Sequence, residues 1–316
     1  MFRRFTIMAA ILAATAIPAR AADAQLPPED GEIMVEAQAH PFKPGIRTVV
    51  GKVHYAAGVL KSVKKTTGMI VTLHNWGGVG AEGTADPVAL ANEYDAIAVT
   101  VNYWQSGQEA FGPFPYDLGL YQALDVLTVM DAIKKDLKRR KKAWNPKRIY
   151  CVGGSGGGNV CLNVAKFAPN TITRTLAMSA PMVPKFAPPL DSRWGSLPPH
   201  EFEIRDLRRG PAVPGVTIVH GFNDEIAPNS DAVDAAKAMG ARFVGVYYSI
   251  LWGPFTDAGH SLGDRTAIAR LYGDFWAQRA SSKTDFDLKS QVAIPVSGGA
   301  WVMDFRKTPT LKWVGR

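Results

Sequence analysis

Residues 151–160 read CVGGSGGGNV, one serine among five glycines. A run of this kind serves either a nucleotide phosphate or a nucleophile. The dinucleotide pattern GxGxxG, started at Gly154, meets Asn159 where its third glycine belongs, and started at Gly156 it meets Cys161; the phosphate loop GxxxxGK fails because Asn159 and Val160 follow Gly158. GxSxG fits from Gly153 to Gly157, the pattern of a serine held on a sharp strand-to-helix turn. A serine hydroxyl attacks only when a base takes its proton and a third group orients that base. Downstream, IVHGFNDEIAP (218–228) presents Asp224 and DAGHS (257–261) presents His260, each just after an apolar run. Asp257, three residues before His260, competes with Asp224 as the acid. His74, in LHNWGG, serves either as a brace for its loop or as a second base, and His220 reads as a hydrogen-bonded loop anchor. No histidine pair has HExxH or helix-face spacing, and two cysteines make no zinc site alone, so neither metal nor cofactor is expected.

The elements that must position these side chains alternate short apolar runs with helical periods, the pattern of an α/β sheet. Strands are expected at 47–55, 68–73, 96–103, 148–154, 173–179, 215–221 and 243–251. Helices are expected at 116–137, where Leu120, Leu124, Leu127 and Ile133 recur on one face, and at 157–168, 229–239 and 263–280. Serine, acid and base then each follow a strand, at the edge where α/β sheets assemble their sites. The proline-dense stretch 181–214 has no period and is long for a connection, which makes it a candidate lid. The tail 287–313 reads as a strand pair turning at SGG. Tyr103, Trp104, Phe111, Phe114, Trp252 and Phe255, with Trp76, fall on or near strand-exit loops of the same face and are expected to line a substrate pocket.

The first residues stand apart. Arg3 and Arg4 precede the apolar run FTIMAAILAATAIP, and Ala19, Arg20 and Ala21 offer a small-x-small cleavage site, so 1–21 reads as a signal peptide and 22–316 as one exported domain, periplasmic or secreted, with no lasting membrane insertion. Removing the leader lowers the net charge from +8 to about +5. Much of that excess lies in KKDLKRRKKAWNPKR (134–148), where cations complement a helix end; no nucleic-acid module accompanies it, and no nucleic-acid partner is expected. Cys151 and Cys161 fall on a buried strand and helix and are expected to be packed thiols.

Through GGSGG, HGFND and AGH the chain resembles the α/β-hydrolase superfamily over roughly residues 45–280, closest to its prolyl-oligopeptidase-like and secreted-esterase branches. The resemblance implies a mostly parallel central sheet with helices on both faces. It also implies Ser155 as nucleophile, His260 as general acid and base, Asp224 as its orienter, and acyl transfer followed by hydrolysis. The loop that is often HGGG in the family reads LHNWGG here, with Asn75 in a glycine's place. Two N–H groups must face the developing oxyanion: Gly156 supplies the first, and the backbone of Trp76, or else of Asn75, the second. The expected activity is a carboxylic-ester hydrolase acting on a small-molecule or polymer-linked ester. A peptidase or amidase using the same residues, and a non-catalytic binding protein on the same scaffold, are the alternatives.

Overall fold

The computed structural model describes residues 24–184, 198–248 and 252–316; the expected leader, 1–21, lies outside them. Eight strands form one sheet: β1 (Gly31–Ala37), β2 (Arg47–His54), β3 (Gly68–Leu73), β4 (Ala96–Asn102), β5 (Ile149–Gly154), β6 (Arg174–Met178), β7 (Val216–Gly221) and β8 (Arg242–Val246), in the order β1-β2-β4-β3-β5-β6-β7-β8. β2 runs antiparallel to both β1 and β4, and every other pairing is parallel. The C-terminal ends of β3 to β8 therefore leave the sheet at one edge. β3 and β5 are buried at every position, which is why GMIVTL and IYCVGG read as unbroken apolar runs.

Side chains alternate across the sheet. Met69, Val71, Ile149 and Cys151 pack on one face against helices α2 (Leu120–Arg139) and α3 (Gly156–Phe167), while Ile70, Tyr150 and Val152 pack on the other against α1 (Pro87–Glu93). Helix α4 is Pro199–Arg205, α5 is Asn229–Met239, α6 is Arg265–Tyr272 and α7 is Asp285–Leu288. The Asp86 carboxylate caps α1 and the Asp264 carboxylate caps α6, each accepting two first-turn amides. Buried Arg47 pairs with Asp125 of α2 at 2.7 Å, and Asp125 also accepts the Trp104 amide at 2.8 Å, so the loop leaving β4 is pinned to the sheet from inside.

Several boundaries differ from the sequence reading. α2 starts at Leu120 rather than 116, because Leu118 and Gly119 both take left-handed backbone. α6 ends at Tyr272, where Asp274 turns left-handed and Phe275 folds back into the core, so the helix expected to 280 is short. The tail holds three strands, not two: β9 (Gln291–Val296), β10 (Gly299–Asp304) and β11 (Thr310–Gly315) form an antiparallel sheet of their own, ordered β11-β10-β9. Gly298 makes the expected turn with φ +79°, and Trp301, Met303 and Leu311 join the α2 and α3 side of the main core. Much of the candidate lid is not a cover. Residues 185–197 lie outside the described residues, but Ile204 and Leu207 are core side chains, Leu207 N–H donates to Met182 O at 2.9 Å, and the Lys166 ammonium of α3 donates to Ile204 O at 2.6 Å. Those apolar residues hold that part of the segment inside the domain.

Candidate active site

β5 ends at Gly154 and α3 begins at Gly156, leaving Ser155 alone at the turn with φ 52° and ψ −123°. A non-glycine residue tolerates that backbone only where its surroundings fix it. Here the Ser155 amide donates to Met178 O of β6 at 2.7 Å, and the flanking glycines let neighbouring chains close in. A Cβ on Gly157 would overlap the carbonyls of Leu73 and His74, and one on Gly154 would overlap the Arg265 guanidinium and the Gly83 carbonyl. The glycine run is thus a packing requirement of the turn that lifts the serine above the sheet.

Ser155 Oγ lies 2.8 Å from His260 Nε2, and His260 Nδ1 lies 2.9 Å from Asp224 Oδ2. Asp224 is buried at the β7 exit, where its Oδ1 accepts the amides of Ile226 and Ala227, both at 2.9 Å. Burial pushes its carboxyl pKa up, but the hydrogen bonds from His260 and Ala227 and the nearby histidines outweigh it and hold the group below the ordinary value, so it is ionised at neutral pH. A carboxylate at Nδ1 fixes that nitrogen as the protonated one and leaves the Nε2 lone pair facing the serine. Asp257 instead accepts Gly259 N–H at 2.9 Å and the Ser261 hydroxyl at 2.7 Å, within its own loop.

At the oxyanion side, Gly156 N–H belongs to the first turn of α3, whose amides have no intrahelical acceptor. A Cβ on Gly156 would stand 2.9 Å from the Trp76 nitrogen, so the two residues border one space. Asn75 N–H is engaged elsewhere, donating to Glu82 O at 2.9 Å. Of the two residues considered for the second donor, Trp76 is the one whose backbone nitrogen lies beside Gly156.

Two further histidines considered in the sequence, His74 and His220, are buried. His74 is fully buried with its ring stacked on Tyr103; Nδ1 donates to Asn75 O, and Nε2 lies 2.7 Å from the Ser106 hydroxyl. Burial lowers its pKa to about 4, which keeps it neutral. His220 Nε2 donates to Ala227 O at 2.8 Å and lies 3.4 Å from Asp224 Oδ2, bracing the acid's loop; burial lowers its pKa as well. Of the seven expected pocket aromatics, Trp76 is half-buried and stacks on Tyr116, and the other six divide. Phe111, Phe114 and Trp252 are exposed, whereas Tyr103, Trp104 and Phe255 are buried supports: the Tyr103 hydroxyl donates to His74 O, Trp104 stacks on His40, and Phe255 lies in the core on the α1 side. Those three have their rings turned inward, because each loop they sit on needs an apolar anchor. Cys151 and Cys161 are free, buried thiols. Among the described residues, no group of three histidine, cysteine, aspartate or glutamate side chains could hold a metal ion, and no helix is long and apolar enough to cross a membrane.

One residue had no signal in the sequence. Arg265, the first residue of α6, donates to Gly83 O beyond β3 and to His260 O at 3.1 Å, with its guanidinium lying over Gly154. It ties the histidine's loop to the strand edge that carries the serine. Its partners are backbone carbonyls, which no residue pattern records.

Neither a family model nor a curated protein matches this chain. Among solved structures, a candidate dipeptidyl aminopeptidase IV from Bacteroides ovatus superposes on 80% of the chain with a TM-score of 0.56 at 13% identity. The fold is that of the α/β hydrolases. This chain spans about a third of that protein, 36% of its length. An α/β serine hydrolase without a lid from Xanthomonas campestris (TM-score 0.47, 16% identity, covering 79% of this chain and 94% of that one) and a puromycin-hydrolysing peptidase from Mycobacterium tuberculosis (0.46, 15%, 79% and 38%) are more distant in shape. In the α/β-hydrolase frame, Ser155, Asp224 and His260 stand at the exits of β5, β7 and β8.

Proposed function

We propose that this chain is an exported serine hydrolase that cleaves carboxylic esters through an acyl-enzyme. The observation that carries the reading is the unbroken relay Ser155 Oγ, His260 Nε2, His260 Nδ1, Asp224 Oδ2, with contacts of 2.8 and 2.9 Å, beside a space bordered by Gly156 and Trp76. Ser155 Oγ attacks the ester carbonyl carbon as its proton passes to His260 Nε2. The carbonyl π pair moves to oxygen, where the Gly156 and Trp76 N–H groups stabilise it. Collapse expels the alkoxide, which takes the proton from His260. Water then repeats the sequence on the acyl-serine, giving the acid and restoring Ser155. Asp224 holds the tautomer and stabilises the imidazolium without itself being protonated.

The likeness to a candidate dipeptidyl aminopeptidase favours an amide reading as the second choice, since the same three side chains serve it. Matched ester and anilide substrates with one acyl group separate the two. Ester turnover that disappears in Ser155→Ala supports the proposal, and anilide turnover at or above the ester rate replaces it with the peptidase reading.

A further inference from the structure

Among the described residues, seven of the eight exposed aromatic side chains stand on the one edge of the molecule that carries Ser155; the eighth is Trp276. They form two banks. Phe42 and Phe114 stack at 5.0 Å, and Phe111, 64% exposed, leans over Gly77 beside Trp76; these lie on the loop between β1 and β2 and on the loop leaving β4. Phe222 and Tyr247 stack at 4.5 Å at the exits of β7 and β8, and Tyr248 and Trp252, which are 60% and 62% exposed, follow β8 in the chain. The strand order puts β5, and so Ser155, between the two banks. Large exposed apolar clusters are kept only where something covers them in use.

Charge narrows what that is. Among the described residues of this edge the cations are committed: Lys43 pairs with Glu109 at 2.9 Å, Arg47 with Asp125, and Arg265 holds backbone carbonyls. Glu82, Glu225 and Asp257 add negative charge on the same loops, while Lys138, Lys142, Lys283 and Lys289 border a groove at the opposite pole, where α2 ends. An anionic membrane would be drawn to the pole without the serine. Resting on the hydrolase reading above, we infer that Ser155 acts on an uncharged, water-insoluble ester presented as a surface, on which the two aromatic banks land with the serine between them.

The test uses the full chain, neutral polycaprolactone particles and dissolved p-nitrophenyl acetate. Phe42→Ser combined with Tyr248→Ser is compared with Met34→Ser combined with Leu271→Ser, a pair of exposed apolar residues placed elsewhere. Sedimentation with the particles is expected to show adsorption of the unaltered chain, a fall of roughly tenfold or more in its affinity for the first pair, and little change for the second. The ratio of particle to dissolved-ester hydrolysis is expected to fall with adsorption. Equal adsorption of both pairs, or tighter binding to phosphatidylglycerol vesicles than to the particles, overturns the inference. A chain that adsorbs as expected but cleaves neither substrate supports the surface and overturns the hydrolase reading instead.

Discussion

Replacing Asp224 by asparagine changes one atom's chemistry at nearly constant volume, so its effect follows from hydrogen-bond direction. In the native site Oδ1 accepts two backbone amides and Oδ2 faces His260 Nδ1 at 2.9 Å. An asparagine keeps its oxygen on the two amides, which turns its NH2 toward His260. Two donors cannot face each other, so the imidazole adopts the other tautomer and its Nε2–H points at Ser155 Oγ, 2.8 Å away, where a lone pair is needed. The serine proton then has no acceptor. The same change in a serine protease lowers turnover by about 10⁴-fold, which corresponds to about 5.5 kcal/mol of barrier. Asp257→Asn is expected to change turnover by no more than about twofold, because that carboxylate bonds only to its own loop. The assay is kcat on a dissolved p-nitrophenyl ester for both variants, with thermal unfolding confirming that each is folded. If Asp257→Asn loses far more activity than Asp224→Asn, Asp257 is the orienting acid and the tautomer argument is refuted.

Two further perturbations read the supports of the site. Arg265→Met removes the ties to Gly83 and His260 carbonyls and is expected to lower kcat by roughly 10²-fold with a smaller change in KM, because it misplaces the histidine rather than the substrate; a larger effect on KM than on kcat counts against a positioning role. Burial lowers the pKa of His74 from 6.5 to about 4, so the unfolded chain takes up this proton before the folded one does. The associated stability is fully present above about pH 6.5 and lost as pH falls toward 4, reaching about 3 kcal/mol. Denaturant unfolding between pH 7 and 4.5 is expected to show a shallower acid loss in His74→Gln, and identical slopes in the two proteins contradict the assignment.

The parts of this molecule legible in the sequence are those where local chemistry and burial agree. β3 and β5 are buried on both faces and announce themselves as apolar runs, and the glycines around Ser155 mark a turn that sterics demand. β1 was missed because GEIMVEA alternates buried and exposed positions with two glutamates in it, weakening its apolar signal. β11 is less legible because the link FRKTP before it carries no turn glycine like the Gly298 that marks the β9–β10 turn. The aromatic loop residues show the limit most clearly: Trp104 and Phe111 sit on one loop with similar composition, yet one anchors it inward against His40 and the other projects to solvent. Arg265 was invisible for a different reason, since a guanidinium bound to carbonyls needs no partner residue type.

The central claim is that Ser155 is a nucleophile activated by His260. It is tested most directly by treating the full chain with a fluorophosphonate and locating the adduct by peptide mass spectrometry. One adduct on Ser155, absent from Ser155→Ala and formed much more slowly by Asp224→Asn, is the expected result; modification of another serine, or an unmodified Ser155 in the folded unaltered chain, contradicts the account.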